Sequence, residues 1–89
     1  MEITFNDKVV LVTGASRGIG AAAAYLFSQS GAKVVVHYNQ NKQSAETVLG
    51  SLAGSGHSIF QADMASPDDL KKMTSEIISR YGKIDILVN

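Results

Sequence analysis

Eighty-nine residues make one small domain at most, and a chain this short leaves much of its surface open to water. The formal net charge is zero and the Lys and Arg residues are scattered, which excludes a nucleic-acid or anionic-membrane surface as the main partner. With no cysteine, disulfides, thiolate metal sites and a thiol nucleophile are excluded as well.

The remaining bulk features are equally plain. His37 and His57 have no metal-ligand spacing, so no metal is expected. No apolar run approaches the roughly 18 residues needed to span a bilayer, and Met1 to Asp7 has no secretory apolar core. The expectation is a cytoplasmic domain with neither nucleic acid nor membrane as partner.

The first apolar run, Val9-Val10-Leu11-Val12, is β-branched and uninterrupted, as a strand buried on both faces should be. Strong helix formers follow from Ala21 to Ser30, with Ile19, Ala22, Ala23, Leu26 and Phe27 as the expected apolar stripe and Gly31 as the cap. Val34-Val35-Val36 reads as a second strand, and Gln43 to Leu52 as a second helix with Ala45, Val48, Leu49 and Leu52 on its inner face. Ser58-Ile59-Phe60 is a third strand. A third helix opens on Ser66 as N-cap with Pro67 at its first position, and Asp69 completes a Ser-x-x-Asp capping box. Leu70, Met73, Ile77 and Tyr81 follow at helical spacing and Gly82 closes the segment. Ile84 to Val88 is the fourth strand.

Strands recurring every 25 residues or so are too far apart for hairpins and suit strand–helix–strand units. The order β-α-β-α-β-α-β, with right-handed crossovers, predicts an α/β fold: a Rossmann-type doubly wound parallel sheet with strand order 3-2-1-4. Residues 1–89 form a single unit with no linker or low-complexity segment.

Between the first strand and the first helix lies Thr13-Gly14-Ala15-Ser16-Arg17-Gly18-Ile19-Gly20. Phosphate binding needs this context. Gly14 takes the turn off the strand, Gly18 lets backbone approach a pyrophosphate, and Gly20 lets the helix pack closely on the sheet. Free N–H groups and the positive end of the helix dipole then face the phosphates. The glycine spacing is Gly-x-x-x-Gly-x-Gly, not the Gly-x-Gly-x-x-Gly of the common dinucleotide fingerprint, and glycines also serve plain turns.

This string resembles the Thr-Gly-x-x-x-Gly-x-Gly cofactor motif of the short-chain dehydrogenase/reductases. Asp63, in Phe60-Gln61-Ala62-Asp63-Met64, matches the family's acidic residue that hydrogen-bonds the adenine amino group. Asp85-Ile86-Leu87-Val88-Asn89 matches the strand that leads into the family's Asn-Asn-Ala-Gly motif, of which Asn89 is the first Asn. The resemblance covers essentially the whole chain. It implies a nicotinamide cofactor held by Gly14, Ser16, Arg17, Gly18, Ile19, Gly20, His37, Tyr38, Asn39, Asp63, Met64 and Asn89. The family's catalytic Ser and Tyr-x-x-x-Lys pair fall beyond Asn89. No catalytic residue is therefore assigned, and the chain reads as the N-terminal, dinucleotide-binding half of a truncated domain. Within the family it looks most like the reductases of β-ketoacyl thioesters, sugars or polycyclic phenols, with a 3-oxoacyl-carrier-protein reductase-like chain first.

Preference for NAD would place an acid at the end of the second strand, about 20 residues past the loop, for the ribose 2′-hydroxyl. Val36-His37-Tyr38-Asn39-Gln40-Asn41-Lys42 contains none. Nothing there repels a 2′-phosphate, and Arg17 offers it a planar fork, which resembles the NADP-preferring members. A solvated loop arginine and an ordinary strand-end histidine are the plainer readings of Arg17 and His37. Tyr38 and Lys42 match Tyr-x-x-x-Lys literally, but catalysis needs that pair one turn apart on a helix, and here they flank the adenosine side. Asp68 and Asp69 suit a helix N-terminus, where their charge complements the dipole.

Two functional readings stand. One is the NADP-binding portion of an oxidoreductase acting on a ketone or secondary alcohol. The other is a non-catalytic nucleotide-binding module. A Rossmann-like methyltransferase would want an acid at the end of the second strand and is disfavoured. The fourth strand should be an open apolar edge, so a homo-oligomer, or completion by the missing half, is expected.

Overall fold

The computed structural model describes residues 4–15 and 18–89. Its strands β1 (Val9–Val12), β2 (Lys33–Tyr38), β3 (Ser58–Gln61) and β4 (Ile86–Val88) alternate with helices α1 (Gly18–Gln29), α2 (Lys42–Ser51) and α3 (Pro67–Tyr81). They form one parallel sheet in the order β3-β2-β1-β4, with Val10 opposite both Val34 and Ile86. This is the predicted Rossmann-type order.

Period-two alternation sends the side chains of each strand to opposite faces. Val10, Val12, Val34, Val36 and Tyr38 pack with Ala24 of α1 and with Ala45 and Val48 of α2. Val9, Leu11 and Val35 pack with Met73 and Ile77 of α3. With both faces covered, β1 is buried along its whole length, which is why its sequence is continuously apolar.

Three local readings are corrected. Of the stripe expected in α1, Phe27 packs against the core, but Ile19 is 90% and Leu26 61% exposed. The inner face is Ala24 and Ser28, with Ala21 and Phe27 beside them. Ser28 is buried because its hydroxyl donates to the Tyr25 carbonyl at 2.7 Å and accepts the Ala53 N–H at 3.0 Å, pinning the α2–β3 connection to α1. The capping box of α3 closes on one side only. The Ser66 hydroxyl accepts the Asp69 N–H at 3.2 Å, but the Asp69 carboxylate accepts the Asp63 N–H at 2.9 Å and so fixes the preceding loop. The Ser66 N–H is satisfied instead by the Asp63 carbonyl at 2.9 Å. Finally, β4 starts at Ile86 and not at Ile84. The Asp85 carboxylate takes the Val9 N–H at 2.8 Å, so the strand ladder with β1 begins one residue later.

Candidate functional site at the carboxyl ends of the strands

In an open α/β sheet the ligand crevice lies outside the carboxyl ends of the strands, where the strand order reverses. In the order β3-β2-β1-β4 that point falls between β1 and β4. The residues that emerge there are Thr13, Gly14 and Ala15 after β1, Asn39 after β2, Ala62 to Met64 after β3 and Asn89 after β4.

Gly14 leaves β1 with φ of +61° and Gly18 opens α1 with φ of +65°, a backbone region that side chains with a Cβ rarely adopt. Gly20 has a different reason to be glycine. A Cβ there would lie 2.7 Å from the Gly14 carbonyl oxygen and 3.0 Å from the Ala15 Cα, so only glycine lets this turn of α1 sit against the loop. The helix begins three residues earlier than Ala21, and its first turn is Gly18-Ile19-Gly20. Their amides are among the four without a partner inside the helix. Ile19 projects into solvent beside them. Such a cradle of small residues and free amides fits a phosphate or pyrophosphate. Ser16 and Arg17 lie outside the described residues.

Two ties hold the loop to its neighbours. On the β4 side, the Thr13 N–H donates to the Val88 carbonyl at 2.9 Å. The Thr13 hydroxyl lies 3.2 Å from both the Val88 carbonyl and the Asn89 side-chain oxygen, and its single proton serves one of them at a time. Asn89 therefore stands at the glycine loop. On the β2 side, Gly14 donates its N–H to His37 Nδ1 at 3.0 Å, and Ala15 donates to the His37 carbonyl at 3.1 Å.

His37 is buried, and its Nε2 sits 2.8 Å from the Ala62 carbonyl. Tyr38 is also buried, among the core residues under α1 and α2. Of the strand-end group, Asn39 is exposed, and its carbonyl accepts a bond from Gln61 Nε2 at 3.0 Å. Asn41 caps α2, its side chain accepting the Ser44 N–H at 3.0 Å. Tyr38 and Lys42 lie on different elements, one ending β2 and the other starting α2, so they do not share a helix face.

Asp63 is exposed at the end of β3, with one carboxylate oxygen accepting the Ala65 N–H at 2.9 Å. Met64 beside it is 41% exposed. The structure thus brings Gly14, Gly18, Ile19, Gly20, Asn39, Asp63, Met64 and Asn89 to the carboxyl end of the sheet, while His37 and Tyr38 are buried. Sequence reasoning read Asp69 only as a helix cap and Thr13 only as the start of the glycine loop, and found neither the Asp69 bond to the Asp63 N–H nor the Thr13 bonds to Val88 and Asn89. Each acts through a side-chain bond to another segment, and spacing along the chain carries no signal of that. Among the described residues, no group of His, Asp or Glu could hold a metal ion, and no helix is long and apolar enough to cross a membrane.

Comparison with known proteins places this geometry in a wider set. Residues 8–89 match the family model described as short chain dehydrogenase. The chain is 43% identical over 84 residues to the versicolorin reductase stcU of Emericella nidulans, covering 92% of this chain and 32% of that protein. It is 41% identical over 85 residues to the 3-oxoacyl-[acyl-carrier-protein] reductase FabG of Staphylococcus epidermidis, covering 93% and 35% respectively. The chain therefore spans about a third of the length of these relatives. Among solved structures, a dehydrogenase/reductase from Sinorhizobium meliloti superposes with a TM-score of 0.90 at 32% identity, over 99% of this chain and 36% of that one. A short-chain dehydrogenase/reductase of Caenorhabditis elegans, solved with cofactor, gives 0.78 at 30% identity over 93% and 32%.

Proposed function

The chain belongs to the short-chain dehydrogenase family, and from that premise we propose that it is the NADP-binding portion of an oxidoreductase that moves hydride between a nicotinamide and a ketone or secondary alcohol. The observation that carries the proposal is that the segment after β1 leads at the switch point of the sheet into α1, whose first turn is Gly18-Ile19-Gly20. In this reading Gly14, Ser16, Gly18, Ile19 and Gly20 surround the pyrophosphate, Asp63 and Met64 meet the adenine, and Asn89 stands toward the nicotinamide side. A bound nicotinamide dinucleotide supplies or accepts the hydride. The chain's own residues bind and orient it.

NADP is favoured over NAD by charge. From Tyr38 to Lys42 the β2–α2 connection carries no carboxylate, and Lys42 is exposed there. A 2′-phosphate meets no repulsion at that corner, and Arg17 has the planar donor fork to pair with it. A carbonyl substrate is favoured because the two named relatives are both reductases. We assign no catalytic residue within residues 1–89. The complete enzyme is cytoplasmic and acts on a small carbonyl or alcohol substrate. The open β4 edge is covered by further chain or by another subunit.

Calorimetric titration of the polypeptide with NADPH and NADH in parallel tests the cofactor reading. NADPH should bind more tightly, and Arg17→Ala should weaken NADPH at least tenfold while leaving NADH nearly unchanged, as expected for loss of one charge-assisted pair of about 1.5–3 kcal/mol. Tighter binding of NADH, or an Arg17→Ala variant with undiminished affinity for NADPH, would overturn it.

A further inference from the structure

We infer that His37 is a positioning residue for the dinucleotide: a buried, neutral imidazole that sets the glycine loop without touching the ligand. The inference rests on the proposed binding role of that loop and adds the device that holds it in shape.

The bonding fixes the ring's tautomer. A backbone N–H only donates, so His37 Nδ1, 3.0 Å from the Gly14 nitrogen, must be the unprotonated acceptor. A carbonyl only accepts, so Nε2, 2.8 Å from the Ala62 oxygen, must carry the proton. Both nitrogens are spent inside the protein and the residue is 3% exposed, which leaves the ring no polar atom for a ligand. The same residue's carbonyl takes the next amide of the loop, that of Ala15, at 3.1 Å. One residue of β2 thus grips two consecutive amides after β1, and its ring reaches the last residue before Asp63.

The two ends of this bridge differ in how much they depend on it. The segment after β3 has anchors of its own, from the Ala62 N–H to the Tyr38 carbonyl at 3.1 Å and from the Asp63 N–H to the Asp69 carboxylate at 2.9 Å. The Gly14 N–H is directed at the imidazole, and Gly14 carries the positive φ from which the loop departs. Loss of the ring should therefore be felt at the phosphate loop more than at the adenine side. A neutral ring is also required: a proton on Nδ1 would set two N–H groups against each other.

The test compares wild type, His37→Phe and His37→Asn. Phenylalanine keeps the ring's bulk and removes both bonds, whereas asparagine again offers an acceptor and a donor on one planar group. For His37→Phe, affinity for NADPH should fall about tenfold, the equivalent of one lost hydrogen bond. Affinity for adenosine, which carries no phosphate, should stay unchanged, and His37→Asn should recover most of the loss. Equal NADPH affinity in wild type and His37→Phe, or equal losses for both ligands, overturns the inference. Absence of NADPH binding by wild type overturns instead the binding role of the loop. Should His37→Phe not fold, the ring nitrogens of wild type decide by NMR. An unprotonated Nδ1 coupled to the Gly14 amide is expected, with that amide shifting on NADPH addition. A protonated or averaging Nδ1 overturns the inference.

Discussion

Gly20 is the residue on which the loop and the first helix are fitted together. A methyl group there would meet the Gly14 carbonyl at 2.7 Å, and backbone atoms cannot step aside as a flexible side chain would. Gly20→Ala should therefore cost about 1–3 kcal/mol in a urea melt despite alanine's better helix propensity. A stabilised variant would show that the close approach is not there. Asp85 makes a second prediction. The Val9 N–H, and after it the Lys83 ammonium at 3.0 Å, hold this carboxyl below the usual carboxylate range. A carboxyl whose folded-state pKa is depressed adds stability that is present above its unfolded value of about 3.9 and lost as pH falls toward the folded value. The urea midpoint of wild type should thus fall more steeply below about pH 5 than that of Asp85→Asn, whose amide oxygen can still accept the Val9 N–H. Parallel acid limbs would contradict this. At this scale the sequence marked Gly20 as a point of close packing, which the structure shows, and Asp63 and Asn89 as residues at the carboxyl ends of their strands. It did not show that the His37 ring bonds segments 23 and 25 residues away, or that the Asp69 carboxylate turns back to the Asp63 N–H, because none of these bonds follows from spacing along the chain.

Among the elements, α3 was the most legible and α1 the least. Ser66, Pro67 and Gly82 mark both ends of α3 by local chemistry, and Met73 and Ile77 are buried as their spacing requires. Ile77 is fully buried against Val9 and Val35, so Ile77→Ala should cost about 2–5 kcal/mol, and Ser66→Ala, a cap on the same helix, about 1 kcal/mol. Thermal and urea melts check both, and a reversed ranking would mean that the helix is held by its cap and not by its face. In α1 the run of alanines gives periodicity little contrast. The face is set instead by the glycine contact at Gly20 and by the two bonds of Ser28, and a reading that looks for apolar side chains passes over both. The second histidine follows the same logic. His57 Nδ1 accepts the Val34 N–H at 3.0 Å while Nε2 meets the Ala53 carbonyl, so it fastens β2 to the α2–β3 connection.

For the whole molecule, strand order followed from spacing and crossover handedness, because parallel neighbours need a covering helix and right-handed crossovers leave few arrangements. Leu87 is the feature with consequences at this scale. It lies on β4, which pairs only with β1 among the described strands, and it is 56% exposed. An apolar strand edge is a template for another strand. The urea midpoint of the polypeptide should rise with protein concentration, and Leu87→Lys should remove that dependence. A midpoint independent of concentration in wild type would contradict it.

The central claim is that a phosphorylated dinucleotide lies across the carboxyl ends of these strands. Amide chemical-shift mapping during titration with NADPH tests it most directly. The account predicts saturable shifts concentrated at Gly14, Ala15, Gly18, Ile19, Gly20, Asp63 and Asn89, with little change along the middle of α3. Shifts scattered over the molecule, or confined to the outer face of α1 around Leu26, would contradict it.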